Sequence, residues 1–212
     1  MSTVIKYTNN DSEQISLQQI MLLKSYNKET YVNSELKLVE RLQVSRKTSE
    51  TYVVSGEYYL SNDEDLQTVI DQHLPLARDW HFYYNKQSNS NGDIFWEYLF
   101  YEYGLLNEKG KLVLNSDNLL LSFCKVNIDT NQITDKRKNF YGDINIYQRS
   151  NYKYPYLTVF YYQDNSVSEI YIDDEDFSLN DFLLDPYADI FVWNDHPYYH
   201  SFDPMLPNDD IV

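Results

Sequence analysis

Two aromatic runs, Asp79-Trp-His-Phe-Tyr-Tyr84 and Asp93-Ile-Phe-Trp-Glu-Tyr-Leu-Phe-Tyr101, flank the polar stretch Gln87-Ser-Asn-Ser-Asn-Gly92. Aromatic and β-branched side chains favour a pleated, half-buried surface. Asn91-Gly92 supplies the positive backbone angles that a tight reversal demands. Together the three segments predict a long-looped β-hairpin. A continuous apolar run also fits a buried helix, so the second arm has an alternative reading as a helix ending at Gly104.

Working outward, residues 4–7, 35–44, 51–60, 111–114 and 119–126 read as further strands, with Gly56 as a bulge candidate. Residues 154–162 and 169–172 read as a second hairpin, and 188–193 as a last strand. Glu29-Thr-Tyr-Val32 is echoed 21 residues on by Glu50-Thr-Tyr-Val53, which fits two arms of a meander. Capping-box patterns, Ser16-Leu-Gln-Gln19 and Ser61-Asn-Asp-Glu64, open predicted helices over 17–26 and 62–74, the second stopping before Pro75. Ser178-Leu-Asn-Asp181 opens a short third helix through Leu184. Residues 127–153 are polar, carry Lys136-Arg137-Lys138, and read as a linker or long loop. The tail from 194 has little regular pattern. The expected fold is α+β: mainly antiparallel β-sheet with two or three short helices. The expected organisation is a single domain over residues 1–212, with 154–212 as an acidic C-terminal subregion.

The composition narrows the function classes. Only Ala77 and Ala188 represent alanine, which argues against a helical bundle. No apolar run approaches the roughly 18 residues of a membrane helix, and the first residues lack the basic and apolar regions of a secretory signal. Cys124 is the single cysteine, so no intrachain disulfide forms, and a reducing, cytoplasmic setting is expected. The net charge is −16. Such a field repels nucleic acid and anionic membranes and favours basic partners.

That charge is unevenly placed. Up to Lys153 there are 20 acids and 17 bases; beyond it there are 13 acids and no Lys or Arg. The same last 59 residues hold 14 of the 35 aromatics. A purely solvating segment would be poor in aromatic rings. Acids interleaved with rings match a binding surface in which aromatics anchor and carboxylates steer. The candidate partner-binding residues are Asp164, Glu169, Tyr171, Asp173, Asp174, Glu175, Asp176, Asp181, Asp185, Asp189, Trp193, Tyr198 and Tyr199.

Other constellations carry less. Asp173-Asp-Glu-Asp176 lacks the glycine and closing glutamate of a calcium-binding EF-hand loop. In Asp195-His-Pro-Tyr-Tyr-His200 the histidines have a helical metal-ligand spacing, but Pro197 disfavours a helix at His196. No nucleophile elbow, phosphate loop or dinucleotide fingerprint occurs. The expectation is therefore no metal, no cofactor and no catalytic residue.

In its general character, small, acidic and without catalytic signature, the chain resembles the immunity proteins of bacterial toxin systems. The likeness lies in composition and rests on no motif. It implies a cytosolic protein that binds and blocks a toxin domain, often a basic nuclease. The functional expectation is thus a non-catalytic inhibitor of a basic protein partner by occlusion. The alternative is a carbohydrate-binding or carbohydrate-hydrolysing protein using the same aromatics and carboxylates.

Overall fold

The computed structural model describes residues 2–141, 155–172, 174–189 and 191–207. Twelve strands follow one another in chain order through a mostly antiparallel sheet: β1 Thr3–Thr8, β2 Ser25–Val32, β3 Glu35–Val44, β4 Thr51–Tyr59, β5 Asp79–Ser88, β6 Ile94–Glu102, β7 Leu105–Leu114, β8 Leu120–Val126, β9 Ile133–Phe140, β10 Leu157–Tyr161, β11 Val167–Ile172 and β12 Glu175–Phe177. Three short α-helices accompany them among the described residues: α1 Leu17–Ile20, α2 Leu66–His73 and α3 Leu179–Phe182. β4 and β5 pair in parallel, and α2 lies in the connection between them. A parallel neighbour needs such a crossover, whereas antiparallel neighbours need only a turn. The chain divides into two compact units, residues 1–86 with 97–109, and residues 87–96 with 110–212.

The turns explain much of the asparagine. Asn9, Asn89 and Asn115 each accept, through Oδ1, the backbone N–H groups two and four residues on. The residue three positions on has positive φ in each: Ser12, Gly92 and Asn118. One Asx-capped reversal is used three times, because a short carboxamide can satisfy two turn donors at once. Asn33–Ser34 and Tyr103–Gly104 are two-residue reversals with positive φ at both positions.

In the first unit, Leu60, Val69, Ile70, Trp80 and Phe82 form the core beneath α2. Gly56 pairs with Trp80, and a Cβ there would lie 2.2 Å from the indole ring. The glycine is a close-packing site. The register shift of β4 falls instead between Val53 and Ser55, so the bulge expected at Gly56 is displaced. The predicted helix over 17–26 ends at Ile20, and β2 follows it. β2 escapes sequence reading because Ser25-Tyr-Asn-Lys-Glu-Thr-Tyr-Val32 is mostly polar; its partners across β1 and β3 create the strand. Glu64 does accept the Ser61 backbone N–H, at 2.7 Å, but α2 begins later, capped by Asp65 on Thr68.

In the second unit, Leu157, Val159, Ile170, Ile172, Phe182, Phe191 and Phe202 are almost wholly buried. Two expectations are corrected here. The supposed linker contains β9, which pairs with β8 and β10; its polar sequence hid it. The described residues of 188–193 form no strand; short 3-10 turns, Pro186–Asp189 and Trp193–Asp195, stand there, followed by Pro197–Tyr199, and residue 190 lies outside the described residues. The tail from 194 packs inward through Tyr198, Tyr199, Phe202 and Met205.

Lys138 fixes that tail. Its side chain is fully buried, and its ammonium donates to the carbonyls of Tyr198 (2.7 Å), Ser201 (2.9 Å) and Pro204 (2.8 Å). Nζ lies 3.6 Å from the Tyr198 ring centroid. Three donors meet three acceptors, and the ring face supplies a fourth favourable contact. Burial nevertheless pulls the lysine down to about 7. Lys136 makes a parallel arrangement with the carbonyls of Tyr162 and Gln163 and with Asn165 Oδ1.

Candidate functional site: exposed acids and an acid-lined pocket

The structure distributes the sequence-nominated acids over two faces. Ile170 pairs with Phe177, and Tyr171 with Asp176. Side chains alternate along a strand, so Ile170 and Phe177 point to the core while Glu169, Tyr171 and Asp176 point away from it. The ring of Phe182, on α3, meets the edge of Phe177, which puts α3 and its Asp181 on the core side of β12. Glu175 lies opposite Ile172, so it too is on that side, exposed at a strand end. Asp173 lies outside the described residues.

Several of these carboxylates cap their own turns. Asp164 accepts from Ser166 N and Oγ, Asp181 from Ser178 Oγ, and Asp185 from the Tyr187 backbone N–H. Asp174 accepts the Tyr171 hydroxyl at 2.8 Å. Glu169 is held above the ordinary carboxylate range, first by a hydrogen bond shared with Asp176. Two neighbouring carboxylates resist ionising together. Asp189 is exposed. Among the described residues, none of the carboxylates from 164 to 189 makes an ion pair.

The nominated aromatics separate from the acids. Trp193, Tyr198 and Tyr199 are 8%, 8% and 7% exposed. Tyr198 donates to the Met205 carbonyl, Tyr199 to that of Asn139, and Trp193 stacks on His200. These three rings organise the interior. Of the nominated rings, Tyr171 alone is exposed, at 38%. Sequence reasoning passed over Leu183 and Leu184, 46% and 88% exposed beside Asp181 and Asp185. Apolar residues adjoining acids at a helix end were the available signal.

The second unit also holds a pocket of about 630 Å³. Leu121, Phe140 and Pro197 give it apolar wall, and Asn91, Asp93, Asn115, Ser116, Asp195 and His196 give it polar lining. The Asn91-Gly92 reversal places Asp93, whose backbone N–H is held by Asn89 Oδ1 at 2.9 Å. Asp93 is 7% exposed, and its Oδ2 accepts from Asn89 Nδ2 at 2.9 Å. The His196 ring stacks on Phe191 with centroids 4.3 Å apart. Burial lowers its pKa below the ordinary histidine value. His200 instead contacts the Trp193 carbonyl, at 2.8 Å. The two histidines thus serve different neighbours, and no group of three His, Cys, Asp or Glu among the described residues is arranged to hold a metal ion.

The first unit has a smaller, polar pocket of about 380 Å³, where Glu29, Arg41, Glu57 and Tyr59 converge on the sheet face. Its two carboxylates already accept tyrosine hydroxyls, from Tyr31 at 2.8 Å and Tyr59 at 2.7 Å. Burial, with help from Glu29, pushes Tyr31 up to about 12.

Comparison of the chain with protein-family models, curated proteins and solved structures finds no match in any of the three. No helix among the described residues is long and apolar enough to cross a membrane.

Proposed function

We propose that this chain is a non-catalytic, cytoplasmic binder that neutralises a basic protein partner, acting as an immunity protein that occludes a bacterial toxin domain such as a nuclease. The observation that carries this reading is that the carboxylates from 164 to 189 make no ion pair among the described residues. Exposed Tyr171, Leu183 and Leu184 adjoin them in sequence. Uncompensated charge steers a basic partner, and apolar contacts at the centre of an interface supply most of the affinity. With Trp193, Tyr198 and Tyr199 internal, the anchoring role passes to Tyr171, Leu183 and Leu184.

The test is capture of partners on immobilised protein at low and high salt, identification by mass spectrometry, and assay of the captured protein's activity with and without this chain. A basic partner held at low salt, released by salt and inhibited stoichiometrically is the expected result. Screening shortens from about 10 Å at 0.1 M to about 3 Å at 1 M, so release should be marked. Retention of no basic protein overturns the reading. Salt-insensitive binding of an oligosaccharide would point to the carbohydrate alternative.

A further inference from the structure

Resting on that reading, we infer that the pocket between Asp93 and Asp195 receives one long basic side chain of the partner, an arginine by preference. Its titratable lining is Asp93, Asp195, His196, Tyr198 and Tyr199, and no lysine or arginine borders it among the described residues. Asp93 is the telling residue. It is a carboxylate more than nine-tenths buried, yet a single side-chain donor, Asn89 Nδ2, serves it among the described residues, and that donor is on Oδ2. Buried carboxylates are ordinarily paired or fully hydrogen-bonded. Its Oδ1 has no donor among the described residues and is not one of the atoms sealed in the interior without a partner, so it is open to the donors that a guanidinium brings.

The remaining lining fits the rest of such a side chain. Phe140, Leu121 and Pro197 offer apolar wall to the methylenes. Asn91 and Ser116 bring polar groups to the rim, and Asp195, exposed, supplies a second carboxylate. His196 and Phe140 border it with ring centroids 5.0 Å apart and planes tilted by 55°, and an aromatic face is a surface on which a guanidinium plane stacks. Burial favours the neutral form of His196, against the pull of Asp195. Five fixed donors suit arginine better than lysine where one acceptor is buried and the other lies at the mouth.

The probe is N-acetyl-arginine methylamide, with the citrulline analogue as its neutral isostere, titrated into the full chain and followed by amide correlation NMR. Saturable shifts are expected at Asn91, Asp93, Asn115 and Ser116 with the arginine compound and none with citrulline. Asp195→Asn should weaken binding about three- to tenfold without altering the rest of the spectrum, as loss of one exposed counter-charge does. Asp93→Asn should abolish saturation, while the dispersion of its spectrum reports that it folds. Equal binding of citrulline, or no saturable shift up to about 50 mM, where a millimolar site would be filled, overturns the inference. The partner provides a separate arm. A basic partner held equally by wild type, Asp93→Asn and Asp195→Asn overturns the pocket and leaves the proposed function standing. Arginine binding without any captured basic partner supports the pocket and removes the proposed function.

Discussion

The two units use their lysines differently. In the first, bases meet acids across strands and turns: Lys28 with Glu40 at 2.7 Å, Lys86 with Glu35 at 3.2 Å, Lys37 with Glu64, and Arg78 with Asp79 at 2.5 Å. In the second, Lys125 still approaches Asp135, at 4.0 Å, but Lys136 and Lys138 turn inward and donate to backbone carbonyls. A lysine that satisfies carbonyls leaves carboxylates elsewhere uncompensated. The acidity of residues 164–189 is therefore sharpened by the fold as well as by composition. Charge counting finds an excess of acids; only the hydrogen bonds reveal that Lys136 and Lys138 direct their donors to carbonyls rather than to ion pairs with those acids.

The largest effect that tests this contrast is at Lys138. Lys138→Met removes the donor for three carbonyls and should cost about 2–4 kcal/mol, with the tail over 193–207 becoming protease-sensitive. Lys28→Met, at a half-exposed ion pair, should cost no more than about 1 kcal/mol. Urea unfolding of both variants measures the difference, and equal costs would break the comparison. Next is Gly56→Ala in the first unit, expected to cost about 1–3 kcal/mol because the new methyl meets the buried Trp80 ring. Gly104→Ala, where a Cβ has open space but φ is +77°, tests backbone strain without the clash.

A pH series sharpens the contrast further. Burial holds His73, His81 and His196 below their ordinary value. Between the folded and unfolded values the unfolded chain binds more protons, so stability should fall as pH drops from 7 to 5. Lys138 is pulled down to about 7 against about 10.4 when unfolded, so the same rule makes stability rise from pH 7 towards 8.5. Above that, Cys124, pushed up to about 11 by burial, begins to oppose it as the unfolded thiol ionises. Chemical denaturation at each pH reads the slope. Lys138→Met should lose the rise above pH 7 and keep the fall below it.

The smallest effect is at the paired carboxylates. Glu169→Gln with Asp176→Asn should change stability by no more than about 0.5 kcal/mol, because both are exposed and relief of repulsion offsets lost hydration. The same double variant should slow association with a basic partner, measured as the on-rate at low salt.

Much of the strand pattern was legible where apolar and aromatic residues dominate, as in β3, β4, β5, β6, β8, β10 and β11. The Asn91-Gly92 reversal and the Ser178 cap were legible because turn and cap chemistry is local. β2 and β9 were not, since their sequences are polar and their strand state depends on neighbours on both sides. Of the proposed pocket, His196 drew notice with His200 as a metal pair, in a motif opened by Asp195, and Tyr198 and Tyr199 as anchors. Asp93, Asn115 and Phe140 carried no signal, because they come from three separate segments.

By itself the sequence determined that this is a β-rich chain, strongly acidic beyond Lys153, with asparagine-rich reversals and no recognisable catalytic motif. Those properties follow from composition and from interactions within a few residues. Only the tertiary structure decided that Lys138 is buried under the tail, that Trp193, Tyr198 and Tyr199 face inward, and that Asp93 borders a pocket. Burial and long-range pairing belong to residues distant in the chain. Whether a tyrosine anchors a partner or a lysine neutralises an acid is set by which side of the sheet it occupies and what packs over it.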